Sequence, residues 1–164
     1  MRTRVGMGYD VHPFGGDGPL VLGGVVIEGT GLVGHSDADA VAHAVADAIL
    51  GAAGLADLGT LFPASDEQWR GVSSIELLRD VAGRVRAAGW WVANVDVVVA
   101  AEEPRLGPHV GAMAANLAAA MHAAAEPMGE GIHVNVKPKR GEGIGAVGRS
   151  EGIAVWAVAL LDRG

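Results

Sequence analysis

Hydrophobic and polar residues change rhythm several times along this chain. "TRVGMGYDVHPF", 3 to 14, alternates and predicts a first strand. "PLVLGGVVIEG" sets two short apolar runs around Gly23-Gly24, the pattern of a hairpin or a bent strand. "HSDADAVAHAVADAILGAAG" then predicts an Ala-rich helix, with Ser36 and Asp37 as candidate caps and a glycine stop. "SSIELLRDVAGRVRAAG" repeats that design, with Ser73 or Ser74 before an amphipathic helix and Gly89 after it. "WWVANVDVVVAA" reads as a strand buried on both faces, and "LGPHVGAMAANLAAAMHAAA" as a third helix. "GIHVNVKP" and "GIAVWAVALLD" are the last strands, separated by the glycine-rich bend "RGEGIGAVGRSEG". There is no internal repeat and no long linker. Strands alternate with helices, so the expected fold is α+β: one domain over 1–164, built on a mixed four-stranded sheet with helices on one face. The other face then needs cover, which sheets packing together in an oligomer would supply.

Composition narrows the chemistry. Half of the 164 residues are hydrophobic and only 4% are aromatic, so Ala, Val and Gly must build a core of small side chains. There is no cysteine, so a metal would have to be held by His and carboxylates. The formal net charge of −7 argues against nucleic acid as a partner, because phosphate-backbone binding needs a basic footprint. The longest apolar run, "IAVWAVALL" at 153–161, is too short to span a membrane. The start has no stretch of signal-peptide length, so a cytoplasmic location is expected.

Within this frame a few residues stand out. Asp10 and His12 are two apart in a predicted strand, so they project from one face. His35, Asp39, His43 and Asp47 follow at intervals of four, which places the last three along one helix face. Alone, that pattern fits an acidic helix start favoured by the helix dipole. Asp10, His12 and His43 together form a three-ligand set suited to zinc with a fourth position open, though other divalent metals also suit these ligands. "GLADLGTLFPASD", 54–66, reads as a loop bordering a site or as a plain helix connection. "AAEEPRLGPH", 100–109, reads first as a solvated turn. "NVKPKRGEGIGAVGRSEG", 135–152, gathers Lys137, Lys139, Arg140 and Arg149 beside glycines, a local charge reversal that suggests a phosphate site. Glu142 within it could hold a divalent cation against phosphate oxygens.

Taken in order, "GYDVHPFG", "GHSDADAVAHAVADAILGAAGLADLGTLFP", "NVDVVVAAEEPRLGPH" and "GRSEGIAVWAVALL" resemble the 2-C-methyl-D-erythritol 2,4-cyclodiphosphate synthases of the non-mevalonate isoprenoid pathway. The resemblance runs nearly end to end. It implies a homotrimer with sheets packed around a threefold axis and active sites between neighbouring subunits. It implies a lyase that turns a CDP-alditol phosphate into a cyclic diphosphate and CMP. On the matching positions it implies zinc ligands at Asp10, His12 and His43, and a magnesium or manganese ligand at Glu142. His35 and Ser36, with Asp57, Gly59 and Phe62, would meet the methylerythritol phosphate part. Ala101, Pro104, Arg105, Leu106 and Gly107 would wrap the cytidine, and Arg149 would lie near an axis that can hold an isoprenoid diphosphate. Catalytic roles would fall to His35, Lys139 and Arg140. The chain departs from the family at Lys139, Arg140 and Gly141, where members often carry threonines. It also departs at Ala146 in place of phenylalanine, Ala64 in place of an acidic residue and Arg105 in place of lysine.

Overall fold

The structure is a computed structural model and describes residues 2–127 and 129–163. Strand β1 (Arg2–Leu22) runs through the first predicted segment and the first apolar run of the second, and turns into β2 (Val25–Leu32) at Gly23-Gly24. Those glycines take φ of 55° and 69°, the left-handed conformations that a tight two-residue hairpin turn requires. The first half of β1 pairs with β5 (Gly152–Arg163), and the second half pairs with β2. Shifts in register between Phe14 and Leu20 mark where the strand passes from one partner to the other.

The sheet has five strands in the order β2-β1-β5-β3-β4, with β3 spanning Trp91–Ala100 and β4 spanning His133–Lys139. The expected count of four is corrected: the return arm of the hairpin is a full edge strand. Only β3 and β4 run parallel, so the sheet is mixed as expected. β3 is not buried on both faces. Val92, Val95, Val97 and Val99 are buried, while the residues between them are partly exposed.

Among the described residues, five α-helices complete the order: α1 (Ala40–Ala53), α2 (Leu58–Leu61), α3 (Ser74–Ala87), α4 (Val110–Ala120) and α5 (Gly145–Gly148). α1 lies on β1 and β5, and α3 packs against α1 and α4. Small residues set this spacing. A Cβ on Gly8 would stand 1.9 Å from the Ala44 carbonyl oxygen, and one on Gly6 would stand 2.1 Å from that of Ala48. The start of α1 is corrected: its cap is Asp39, not Ser36 or Asp37. The Asp39 carboxylate accepts from the N–H of Val41 and Ala42 at 3.1 and 3.0 Å. It also accepts from Gly23 and Gly24 at 2.8 and 2.7 Å, so one buried side chain fastens the hairpin turn to the helix. Burial pushes this carboxyl up, against the pull of its backbone donors. The third predicted helix is shorter than its sequence pattern, with single 3₁₀ turns on either side of α4.

The helices cover one face of the sheet. On the other, Val5, Met7, Tyr9, Val11, Trp156 and Val158 stand exposed. They alternate along β1 and β5, and Met7 pairs with Val158 and Tyr9 with Trp156. Among the described residues, no helix is long and apolar enough to cross a membrane.

Candidate active site

Because Gly8 lets α1 approach β1, the helix residue after one turn meets the strand residues that share that face. Asp10, His12 and His43 converge there. Asp10 Oδ2 lies 3.0 Å from His12 Nε2 and 2.9 Å from His43 Nδ1, and the two imidazole nitrogens are 3.4 Å apart. Zinc sits about 2.0–2.2 Å from nitrogen and oxygen ligands, which in a tetrahedron puts ligand atoms roughly 3.3 Å apart. The donor set and its spacing therefore fit a divalent ion with one protein-free position. Burial raises the Asp10 carboxyl, but hydrogen bonds and charge from His12 and His43 outweigh it and hold the group well below the usual carboxylate range. The hydrogen bond to Asp10 raises His12 in turn, against the effect of burial.

Each histidine is oriented from behind. His12 Nδ1–H donates to the Val33 carbonyl at 2.6 Å, leaving Nε2 to face the cluster. His43 Nε2 points the other way, 2.8 Å from Ser74 Oγ and 3.1 Å from Ser36 Oγ. Ser74 is almost fully buried and donates its hydroxyl proton to Asp37, which also accepts the Ser74 N–H at 3.1 Å. Asp39, expected on the helix face beside His43, is instead buried in its cap. Asp47 lies in the cleft and accepts the Leu58 N–H at 2.8 Å, which holds the following loop. Its carboxyl is pushed up by burial.

The cluster opens into a cleft of about 290 Å³. His35, Ser36, Gly59 and Phe62 line it, and so does Ala64. His35 Nε2 is 3.2 Å from the Asp66 carbonyl oxygen. Phe62 is held edge-on by Trp69, with ring centroids 5.0 Å apart. Asp57 is exposed at the rim and caps α2 by accepting the Thr60 N–H at 2.7 Å. A second, larger groove of about 530 Å³ gathers Ala101, Pro104, Arg105, Leu106 and Gly107 with Lys139 and Arg140. Arg140 is tied to Glu102 at 2.5 Å, and the other Glu102 oxygen takes the Gly141 N–H at 2.9 Å. This pairing holds the Glu102 carboxyl below its ordinary value.

The two hollows share no lining residue, so one chain does not bring all the expected residues together. Glu142 lies outside the metal cluster, exposed in a turn where it takes a φ of 52°. Arg149 pairs with Glu151 at 2.6 Å. Ser74, Asp37 and Glu102 were not singled out for this site by sequence. Ser74 and Asp37 read as ordinary helix caps, and Glu102 as part of a solvated turn.

Residues 3–162 match the YgbB family. A 2-C-methyl-D-erythritol 2,4-cyclodiphosphate synthase of Bordetella petrii is 53% identical over 161 residues, covering 98% of this chain and 96% of that protein. A bifunctional enzyme IspD/IspF of an Anaeromyxobacter species is 54% identical, and there the matched region is 40% of the relative's length. Among solved structures, the bifunctional IspDF of Campylobacter jejuni superposes with a TM-score of 0.90 at 40% identity, over 99% of this chain and 43% of that one. The Plasmodium falciparum IspF in complex with CDP gives 0.81 at 30% identity, over 98% and 96%.

Proposed function

The chain belongs to the YgbB family, and from that membership we propose that it is a phosphorus–oxygen lyase making a cyclic diphosphate. Its substrate is 4-diphosphocytidyl-2-C-methyl-D-erythritol 2-phosphate, and its products are 2-C-methyl-D-erythritol 2,4-cyclodiphosphate and CMP. The observation that carries this reading is the convergence of Asp10, His12 and His43 in an open cleft, in a chain so close to relatives bearing that name.

In this reaction an oxygen of the 2-phosphate attacks the β-phosphorus. The bond from that phosphorus to the bridging oxygen breaks, and CMP leaves with the electron pair. Such transfers rest on positioning and charge neutralisation more than on covalent chemistry. Asp10, His12 and His43 would hold zinc, and Glu142 a magnesium or manganese ion. Bound metal supplies charge neutralisation on diphosphate oxygens and stabilises the leaving group. His35 and Ser36 place an imidazole and a hydroxyl at the cleft wall, where they would bind the methylerythritol phosphate part. Asp57, Gly59 and Phe62 border the same part, and Phe62 and Trp69 exclude water from it. Ala101 to Gly107 would wrap the cytidine, with Arg105, Lys139 and Arg140 facing its phosphates. Lys139 and Arg140 carry the positive charge that would offset charge on the transferring group.

The reading includes a homotrimer, one 1–164 domain per subunit. Two observations support it: the hollows assigned to the two halves of the substrate share no lining residue, and the uncovered sheet face is apolar. Each complete site would join the metal cleft of one copy to the nucleotide groove of another. Arg149 and Glu151 would lie towards the axis, where an isoprenoid diphosphate could be held. The location is proposed to be cytoplasmic.

Phosphorus NMR of the purified protein with substrate, zinc and magnesium tests the function. A cyclic diphosphate with stoichiometric CMP is expected. Opened phosphates would mean a hydrolase, and intact substrate on metal-loaded protein would mean a binding protein.

A further inference from the structure

We propose that Ser74 and Asp37 are positioning residues that set the tautomer of His43 and thereby its grip on the metal. The inference rests on the reading of His43 as a metal ligand. Its basis is a directed chain of hydrogen bonds. His43 turns Nδ1 towards Asp10 and His12, so that nitrogen must keep its lone pair free for an ion. The proton of the neutral ring then belongs on Nε2. A proton on Nε2 needs an acceptor, and Ser74 Oγ lies 2.8 Å away.

A hydroxyl can donate or accept, so alone it would not choose. Asp37 makes the choice. Its carboxylate only accepts, and it takes the Ser74 hydroxyl proton on one oxygen and the Ser74 N–H on the other. The serine oxygen is left with only lone pairs facing the ring. The order is fixed as His43 Nε2–H to Ser74 Oγ–H to Asp37. Burial keeps water from competing, since Ser74 is about 1% exposed. Ser74 and Asp39 are the buried polar residues among those described, and Asp39 is consumed by its cap. Ser36 Oγ is a second neighbour of the ring at 3.1 Å, but it also accepts the Ala38 N–H and has no carboxylate to turn it.

Outer partners of metal-bound histidines typically change metal affinity by about 10–100-fold when removed. Ser74→Ala is therefore expected to weaken zinc binding by about that factor, measured by competition with a chromophoric chelator. Ser74→Thr keeps the hydroxyl and is expected to restore affinity. Asp37→Asn offers one acceptor where two are needed. The amide then faces the hydroxyl, turns it to donate to Nε2, and is expected to weaken zinc as Ser74→Ala does. Cobalt absorption of each variant reports the ligand field directly, and melting of the metal-free proteins reports packing separately. Weakened zinc and a shifted cobalt spectrum with unchanged metal-free melting support the relay. Unchanged zinc affinity in Ser74→Ala overturns it, as does lowered melting with unchanged affinity. If the parent protein takes up neither zinc nor cobalt, the ligand reading fails and takes the relay with it.

Discussion

At the scale of the residue, the site depends on an atom that is missing. Gly8 has no side chain, and the space it leaves is filled by the backbone of α1 at Ala44, next to His43. A Cβ there would overlap the Ala44 carbonyl, and backbone cannot swing aside as a flexible side chain can. Gly8→Ala is expected to push α1 outward and to destabilise the fold by about 1–3 kcal/mol. For a chain of this size that lowers the melting temperature by roughly 2–12 °C. The same displacement moves His43 away from Asp10, so zinc affinity should fall with it. Calorimetry with a zinc titration checks both, and a variant that melts and binds like its parent would refute this account of the helix approach. Sequence made the triad legible for simple reasons. Asp10 and His12 share a strand face through the period of two, and the helical pattern puts His43 where it must meet that sheet. The relay behind His43 was not legible. Ser74 is 31 positions away, and nothing in a serine before a helix distinguishes a cap from an imidazole partner.

At the scale of the element, the basic stretch shows how tertiary contact redefines a motif. Lys139 ends β4 and Arg140 and Gly141 follow directly, and the two cations suggest a phosphate site. In the fold, Glu102, two residues past the end of β3, reaches across 38 positions and holds Arg140 by its guanidinium and, one residue on, Gly141 by its N–H. The parallel pairing of β3 and β4 makes this reach short, because Ala100 stands beside Lys139. Arg140 therefore spends its charge on Glu102, while Gly141 supplies a tether that needs no particular side chain. Arg140→Thr, which installs the residue type common in the family, should lower kcat/KM but leave measurable activity, because a hydroxyl can still donate to the transferring group. Glu102→Ala loses the side-chain and backbone contacts together and should raise KM more than Arg140→Thr does. Steady-state kinetics of the two variants compare them. Equal effects would mean that the Gly141 tether is idle, and a folded but inactive Arg140→Thr would make the guanidinium essential. The strand and helix pattern itself was read well from sequence. Its errors are the count of four strands, the cap of α1, the burial of β3 on both faces and the overlong third helix, where turns and tertiary contacts rather than periodicity decide.

At the scale of the whole molecule, what one chain leaves open matters as much as what it encloses. Periodicity gave a sheet with one covered face, but a sequence carries no signal for what faces the other side. The structure resolves which residues those are: Val5, Met7, Tyr9 and Val11 on β1, and Trp156 and Val158 on β5. This apolar face, on adjacent strands and continuous across them, is the surface that the proposed assembly would cover. The Asp10, His12 and His43 cluster lies on the opposite face and comes together within one chain, whereas the groove proposed for the nucleotide shares no residue with its cleft. Assembly should therefore be needed for turnover and not for metal binding. Val158→Glu tests that separation. Val158 is 45% exposed and sits beside Met7, so a carboxylate there is tolerated in a single chain. Between packed sheets it would be an unpaired buried charge repeated in every subunit, at a cost of several kcal/mol each. Sedimentation should show the parent as a trimer and the variant as a monomer. The monomer should keep its zinc affinity and lose cyclic diphosphate formation. A monomer that still turns over would mean that each chain holds a whole site. A variant that stays trimeric would mean that the copies meet through some other surface, with the apolar face left for a different partner.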